Sequence, residues 1–234
     1  MDVVAAEIKS KNAGSQTLVV PADVSSEADV NKLVAKTKDT FGGLDVMVAN
    51  AGICLANPIL DVTIQEWDKL FSINVRGVLL CYQAAARLMI EQKRGGRIIG
   101  EGTPVMHLFH CRSLSQGASS IAGKKGGGNL SAYSASKFAV RSLTQSAACE
   151  WGAHGITVNA YAPGTIETPM LHDAEATIIT PSGAGLISQL KASTALRRSG
   201  QPEEIANFVS MLASDKSSCM TGQTITIDGG IWFD

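Results

Sequence analysis

The sequence predicts an α/β protein built on a doubly wound parallel sheet. Three observations predict it. Short, continuous apolar runs leave no polar alternation for a wet face, so they read as strands buried on both sides. Between them lie longer stretches whose apolar residues recur at helical spacing. The 23 glycines supply the tight strand–helix turns that such a fold needs.

The elements follow in order. Residues 1–14 look like the end of an amphipathic helix and not a targeting leader. Residues 17–20 are apolar and β-branched, and predict a strand running into Asp23 and Val24. Residues 26–41 predict a helix with Val30, Leu33, Val34 and Thr37 on one face. Residues 44–49 are a continuous apolar run closed by Asn50, Ala51 and Gly52. Residues 63–92 predict one long helix or a helix pair, with Trp67, Leu70, Phe71, Val75 and Leu79 inward. A short strand at 97–99, a helix at 131–154 and a strand at 156–162 come next. A helix over 202–213, opening on Pro202, and a last strand over 224–227 complete the pattern. No linker divides it, so residues 1–234 read as one domain, with ligands expected at the carboxyl ends of the strands.

Composition narrows the function. The formal net charge is -1 with no long basic or acidic run, so nothing recommends nucleic acid or a charged membrane surface as a partner. No apolar run reaches the roughly 18–20 residues that span a bilayer. The five cysteines are odd in number and mostly lie in apolar segments; they read as reduced, partly buried thiols of a cytoplasmic protein. Cys54 is read as a small core residue.

The chemistry is concentrated at Tyr133 and Lys137. Four positions apart on a helix, they share a face, which puts an ammonium beside a phenol. A free phenol titrates near ~10, and a neighbouring cation is expected to bring it towards working pH. Ser120, thirteen residues upstream, offers a hydroxyl to orient a carbonyl or alcohol oxygen against the tyrosine. The set points to reversible proton transfer to oxygen, the acid–base half of a ketone–alcohol interconversion.

Together with the short motifs around them, these residues resemble the short-chain dehydrogenase/reductase family, whose fold is Rossmann-like. The resemblance covers nearly the whole chain. Asp23 and Val24 look like its adenine-contacting pair, and Asn50, Ala51 and Gly52 its small-residue turn beside the cofactor ribose. Asn74 matches the asparagine that kinks the central helix and supports a proton-relay water. Pro163, Gly164, Ile166 and Thr168 match the loop that holds the nicotinamide carboxamide. The resemblance implies Asn74, Ser120, Tyr133 and Lys137 as the catalytic set. Tyr133 then acts as acid/base, and Lys137 lowers its pKa and bonds the nicotinamide ribose. It also implies NAD or NADP as cofactor, a small-molecule carbonyl or alcohol substrate, and a homo-oligomer, dimer or tetramer. Residues 131–170 and 220–234 look most like the acetoin/diacetyl reductase (2,3-butanediol dehydrogenase) branch, with 3-oxoacyl-carrier-protein reductases sharing much of the pattern. Residues 171–198 are expected to form the substrate lid.

Two features depart from the family. The glycine-rich TGxxxGxG turn that cradles a pyrophosphate is absent, so the first strand, first helix and second strand of the fold are expected to lie before Met1. The choice between NAD and NADP is lost with them. Residues 124–128 are basic and glycine-rich but lie between Ser120 and Tyr133, and are not read as a substitute. Residues 101–117 form an irregular insert; joining Gly100 to Ala118 restores a strand running into Ser120. The insert is therefore expected to be a retained intron, and the missing start a lost first exon, which transcript sequencing tests. His107, His110 and Cys111 within it lack a fourth ligand, so no metal site is expected. An active oxidoreductase, a non-catalytic oligomerising family member and a fragment without a stable fold all remain open.

Overall fold

The computed structural model describes residues 2–101, 123, 124, 126, 128–168, 171 and 185–233. Its centre is a four-stranded, all-parallel sheet in the order β1-β2-β3-β4: β1 Val46–Ala49, β2 Gly96–Glu101, β3 Ile156–Pro163 and β4 Thr224–Ile227. One row of the ladder runs Ala49, Gly100, Ala160, Thr224; the next adds Glu101 beside Tyr161 and Ile225. All four strands point the same way, so their carboxyl ends share one edge of the sheet.

Helices cover both faces, as a doubly wound fold requires. On one face lie α2 (Glu27–Phe41), α4 (Val78–Gln92) and α5 (Ser131–Trp151), packing Val30, Val34, Leu88, Met89 and Val140 against Met47, Ile98 and Val158. On the other, α7 (Pro202–Ala213) packs Ile205, Phe208, Val209 and Leu212 against Ile99, Tyr161 and Ile225. Neighbouring residues Ile98 and Ile99 thus face opposite cores, the alternation a pleated strand imposes. Val48 remains exposed.

Local chemistry explains the boundaries. Ser26 caps α2 by accepting the Asp29 N–H, and Gly42 ends it in the left-handed region at φ 81°. Thr63 and Glu66 form a reciprocal capping box on α3 (Ile64–Phe71). Pro202 starts α7. Gly100 is glycine because a Cβ there would collide with the Tyr82 hydroxyl, and at Gly164 a Cβ would meet the Asp228 backbone at 2.5 Å.

Two expectations change, at residues 17–20 and at Glu101. Residues 17–20 make no ladder among the described residues, because a strand needs a partner on which to form its hydrogen bonds. Of the two alternatives for residues 63–92 the structure has the helix pair: a π-helical segment, Ser72–Gly77, joins α3 to α4. Glu101, assigned to the insert, is the last residue of β2, because pairing with Tyr161 carries it into the sheet. Residues 102–117, with His107, His110 and Cys111, lie outside the described residues. Helix α1 (Asp2–Lys11) lies where the end of a helix was expected, whereas the short α6 (Leu186–Ser193), within the expected lid, was not foreseen. Cys54 and Cys81 are buried, as expected of core thiols, whereas Cys149 and Cys219 are exposed.

Candidate active site

The site forms where α5 crosses the carboxyl ends of the strands. Tyr133 and Lys137 are both buried, and the Lys137 ammonium lies 5.5 Å from the centre of the Tyr133 ring. The one-turn spacing therefore delivers the juxtaposition that the sequence implied. Around the phenol pack Cys54, Leu70, Leu130, Leu171 and Leu190, so part of the 171–198 segment covers it.

The electrostatics depart from expectation. Burial pushes the Tyr133 phenol well above its ordinary value, with Cys54 and Glu101 adding to the rise. Lys137 was expected to bring it down. Instead burial holds Lys137 itself down at about 8, while Glu101 and Cys54 draw it back up. Glu101 is raised to about 8 by burial, against the pull of Lys137. A dry apolar pocket penalises every ionised form, and the lysine also feels the charge of a carboxylate that sequence reasoning missed.

Asn74 sits at the π-segment, wholly buried. Its Oδ1 accepts the Ile53 N–H at 2.8 Å, and its Nδ2 donates to the Ile53 carbonyl at 2.8 Å and to Ser136 Oγ at 3.2 Å. Ser136 in turn donates to the Tyr133 carbonyl at 2.7 Å. Both amide protons are used, which leaves one Oδ1 lone pair for a water. The chain after β1 is thereby tied to the backbone of α5 at the tyrosine. The wider π-helical turn is what points Asn74 across this gap. Ser136 was also missed; its small side chain one turn from Tyr133 was the available signal.

The other expected residues divide. Asn50 stands at the end of β1, its Oδ1 accepting the Tyr161 hydroxyl, with Ala51 and Gly52 following. Val24, Asn50 and Ala51 line one cavity of about 150 Å³ with Met47, Gly77 and Cys81. Asp23 is exposed and turned to Ser25, accepting its N–H at 2.9 Å and its hydroxyl at 2.7 Å, which lowers its pKa. Pro163 and Gly164 leave β3, the Gly164 N–H being bound to the Ile227 carbonyl at 2.9 Å. Ile166 is buried, and its carbonyl takes a long 3.5 Å bond from the Thr168 hydroxyl. Ser120 lies outside the described residues.

Comparison with known proteins places this geometry. The family described as short chain dehydrogenase matches residues 1–101, and that described as enoyl-(acyl carrier protein) reductase matches residues 112–232. A short-chain dehydrogenase/reductase of Armillaria gallica is 46% identical over 221 residues, spanning 94% of this chain and 78% of that protein. The chain belongs to the short-chain dehydrogenase/reductase family. It is similar, at 40% identity over 215 residues, to a Staphylococcus aureus diacetyl reductase that forms (S)-acetoin (91% and 77% coverage). Its fold matches that of levodione reductase with a TM-score of 0.84 at 32% identity, over 97% and 82% of the two chains.

A short-chain dehydrogenase/reductase is an oxidoreductase of a family that generally works with NAD(P). Tested against that cofactor, the described residues fit its nicotinamide–ribose half. The Thr165 hydroxyl, in the loop after β3, is buried and has no hydrogen-bond partner among the described residues. It lines a cavity of about 100 Å³ with Ile166, Arg198, Ile227 and Asp228. An orphaned hydroxyl beside a cavity is spare capacity for a polar ligand. For the pyrophosphate the sequence contains no TGxxxGxG turn. Among the described residues no cluster of ligating side chains could hold a metal, and no helix is long and apolar enough to cross a membrane.

Proposed function

We propose that this short-chain dehydrogenase/reductase interconverts a small ketone or hydroxyketone of the acetoin/diacetyl type with its alcohol, using NAD or NADP. One observation carries the reading: a tyrosine and a lysine on one face of α5, buried together at the strand ends with a 5.5 Å separation of ammonium and ring. The similarity to diacetyl reductase supports the substrate class.

The nicotinamide supplies hydride transfer when bound. Tyr133 gives its hydroxyl proton to the carbonyl oxygen in reduction and takes it back in oxidation. Lys137 stabilises the resulting phenolate and would hold the cofactor ribose. Ser120 orients the substrate oxygen. Asn74 holds the turn at Ile53 against α5 and uses its remaining Oδ1 lone pair for a water on the proton path. Asn50, Ala51, Gly52, Pro163, Gly164, Ile166 and Thr168 would hold the cofactor, with Asp23 and Val24 serving its adenine end. Residues 171–198 close over the substrate, Leu171 and Leu190 excluding water from the phenol. A second copy of the chain completes the working form.

A folded, oligomerising family member without catalysis is the second reading. Fluorescence titration of the full chain with NADH and NADPH separates the two. Saturable binding with turnover of diacetyl or acetoin is expected; a folded protein that binds neither nucleotide establishes the second reading.

A further inference from the structure

Tyr161 stands where a phenylalanine would fill the core as well. On β3, it is 3% exposed and packs in one apolar cluster with Ile99, Phe208, Leu212 and Ile225. Its hydroxyl leaves that cluster and donates to Oδ1 of Asn50, the first residue beyond β1. The ladder brings the two level. Ala49 pairs with Gly100, and Glu101 with Tyr161, so the next row sets Asn50 beside Glu101 and Tyr161. Alternation puts Asn50 on the face of Val46 and α7, which is also the face of Tyr161. Strand β2 lies between them, so the two backbones are two strand spacings apart, about 10 Å. An asparagine is too short to cross that gap, and the length of the phenol closes it.

The bond decides what Asn50 can offer. Its side chain is exposed, and a primary amide carries an acceptor at one corner and two donor protons at the other. With Oδ1 held by a hydroxyl from the core, the amide is fixed one way round. Nδ2 keeps both protons and has no partner among the described residues. Asn50 also lines the cavity of about 150 Å³ with Val24 and Ala51. A side chain already held at its acceptor end loses less rotamer freedom when a ligand accepts from its donor end.

We infer that Tyr161 is a positioning residue of the cofactor site, its hydroxyl holding the Asn50 amide so that Nδ2 is free to donate to the cofactor. Tyr161 acts through Asn50, so it is not a catalytic residue. The inference rests on the reading of Asn50 as a cofactor residue.

The test is a double-mutant cycle in the full chain. Tyr161→Phe keeps the ring in its cluster and removes the hydroxyl. NADH or NADPH affinity, read by fluorescence titration, is expected to fall by about 2–10-fold, the worth of one hydrogen bond, with kcat for diacetyl within about two-fold. Asn50→Ala is expected to lose at least as much, and Tyr161→Phe to cost nothing further in that background. Unchanged affinity in Tyr161→Phe, or an equal loss in both backgrounds, overturns the inference. If the parent binds neither nucleotide, the cofactor reading of Asn50 fails by itself, and the tie is read on the amide. The order parameter of the Asn50 side-chain amide, from ¹⁵N relaxation, is then expected to drop from the rigid range near ~0.85 to below about 0.6 in Tyr161→Phe. An amide equally ordered in the two proteins overturns the positioning role.

Discussion

The side-chain amide of Asn74 and the backbone of Ile53 bond each other in both directions, N–H to Oδ1 and Nδ2 to carbonyl, each at 2.8 Å. An asparagine is here a substitute strand, satisfying a turn that has no ladder partner of its own. Asn74→Ala should therefore lower stability by about 2–4 kcal/mol, from two backbone groups and the Ser136 hydroxyl losing a partner. Asn74→Asp should cost more, since it keeps the acceptor, loses both donors and buries a charge. Urea midpoints of the two variants check the order; an aspartate as stable as the alanine contradicts it.

Tyr133→Phe keeps the apolar packing and removes the proton. Turnover of acetoin or diacetyl is expected to fall by about 100-fold or more, with NADH affinity within a few-fold of the parent. A variant that still turns over at the parent rate removes Tyr133 from the reaction.

Glu101 gives the fold a pH dependence of definite sign. Its carboxyl is raised from 4.5 to about 8, so between these values the folded chain keeps a proton that the unfolded chain has lost. Stability must fall as pH rises through that window. Glu101→Gln should flatten the decline, with a difference of more than about 1 kcal/mol across it. Urea midpoints from pH 4.5 to 8 test this, a range below that in which Cys81, raised to about 11, and Tyr82, raised to about 12, contribute.

Gly100 and Tyr82 fit each other. A methyl at Gly100 would strike the Tyr82 hydroxyl, which is held by Thr144 at 3.1 Å on a fully buried side chain. Gly100→Ala is expected to cost about 1–3 kcal/mol as an overpacked site. Tyr82→Phe in the same chain should recover part of that loss, although alone it destabilises by leaving Thr144 short of a partner. A double-mutant cycle in urea gives the coupling, and strict additivity would count against it.

Thr165 separates folding from binding. Its buried hydroxyl has no partner among the described residues, so Thr165→Val should stabilise the chain by about 1 kcal/mol or more. If the hydroxyl serves the nicotinamide end of the cofactor, the same variant binds NADH more weakly. Thermal midpoint and nucleotide titration of one protein read both effects.

Much of this was legible in the residues. Helix α7 and strand β4 fall where Pro202 and the Thr-Ile-Thr-Ile run put them, because a proline at a first turn and a continuous β-branched run are local signals. Tyr133 and Lys137 were legible through helical spacing alone. Residues 17–20 were not, since intrinsic preference cannot show whether a neighbouring strand is present. The charge on Lys137 was misjudged because Glu101 reaches the site only through its pairing with Tyr161, sixty residues away in sequence. Helix α6 gave a weak signal: at eight residues it is too short for its apolar spacing to stand out, and it is anchored from outside, by the 2.9 Å Lys191–Glu167 ion pair.

The sheet order and the placement of the helices together fix a matter of handedness. Each crossover, β1 to β2, β2 to β3 and β3 to β4, steps the same way across the sheet. The first two pass over the face of α4 and α5, and the third passes over the face of α7. Equal steps over opposite faces have opposite hands, so one connection has a hand that the other two lack, although strand twist favours a single hand almost universally. That closing connection cannot lean on twist and must be secured by specific bonds. They are present at both ends of β4: Gly164 to Ile227, Gly222 to Val158, and the Asn159 amide bridging Met220 and Gln223. Asn159 is then a clasp for topology, and its loss should release β4 before any other strand.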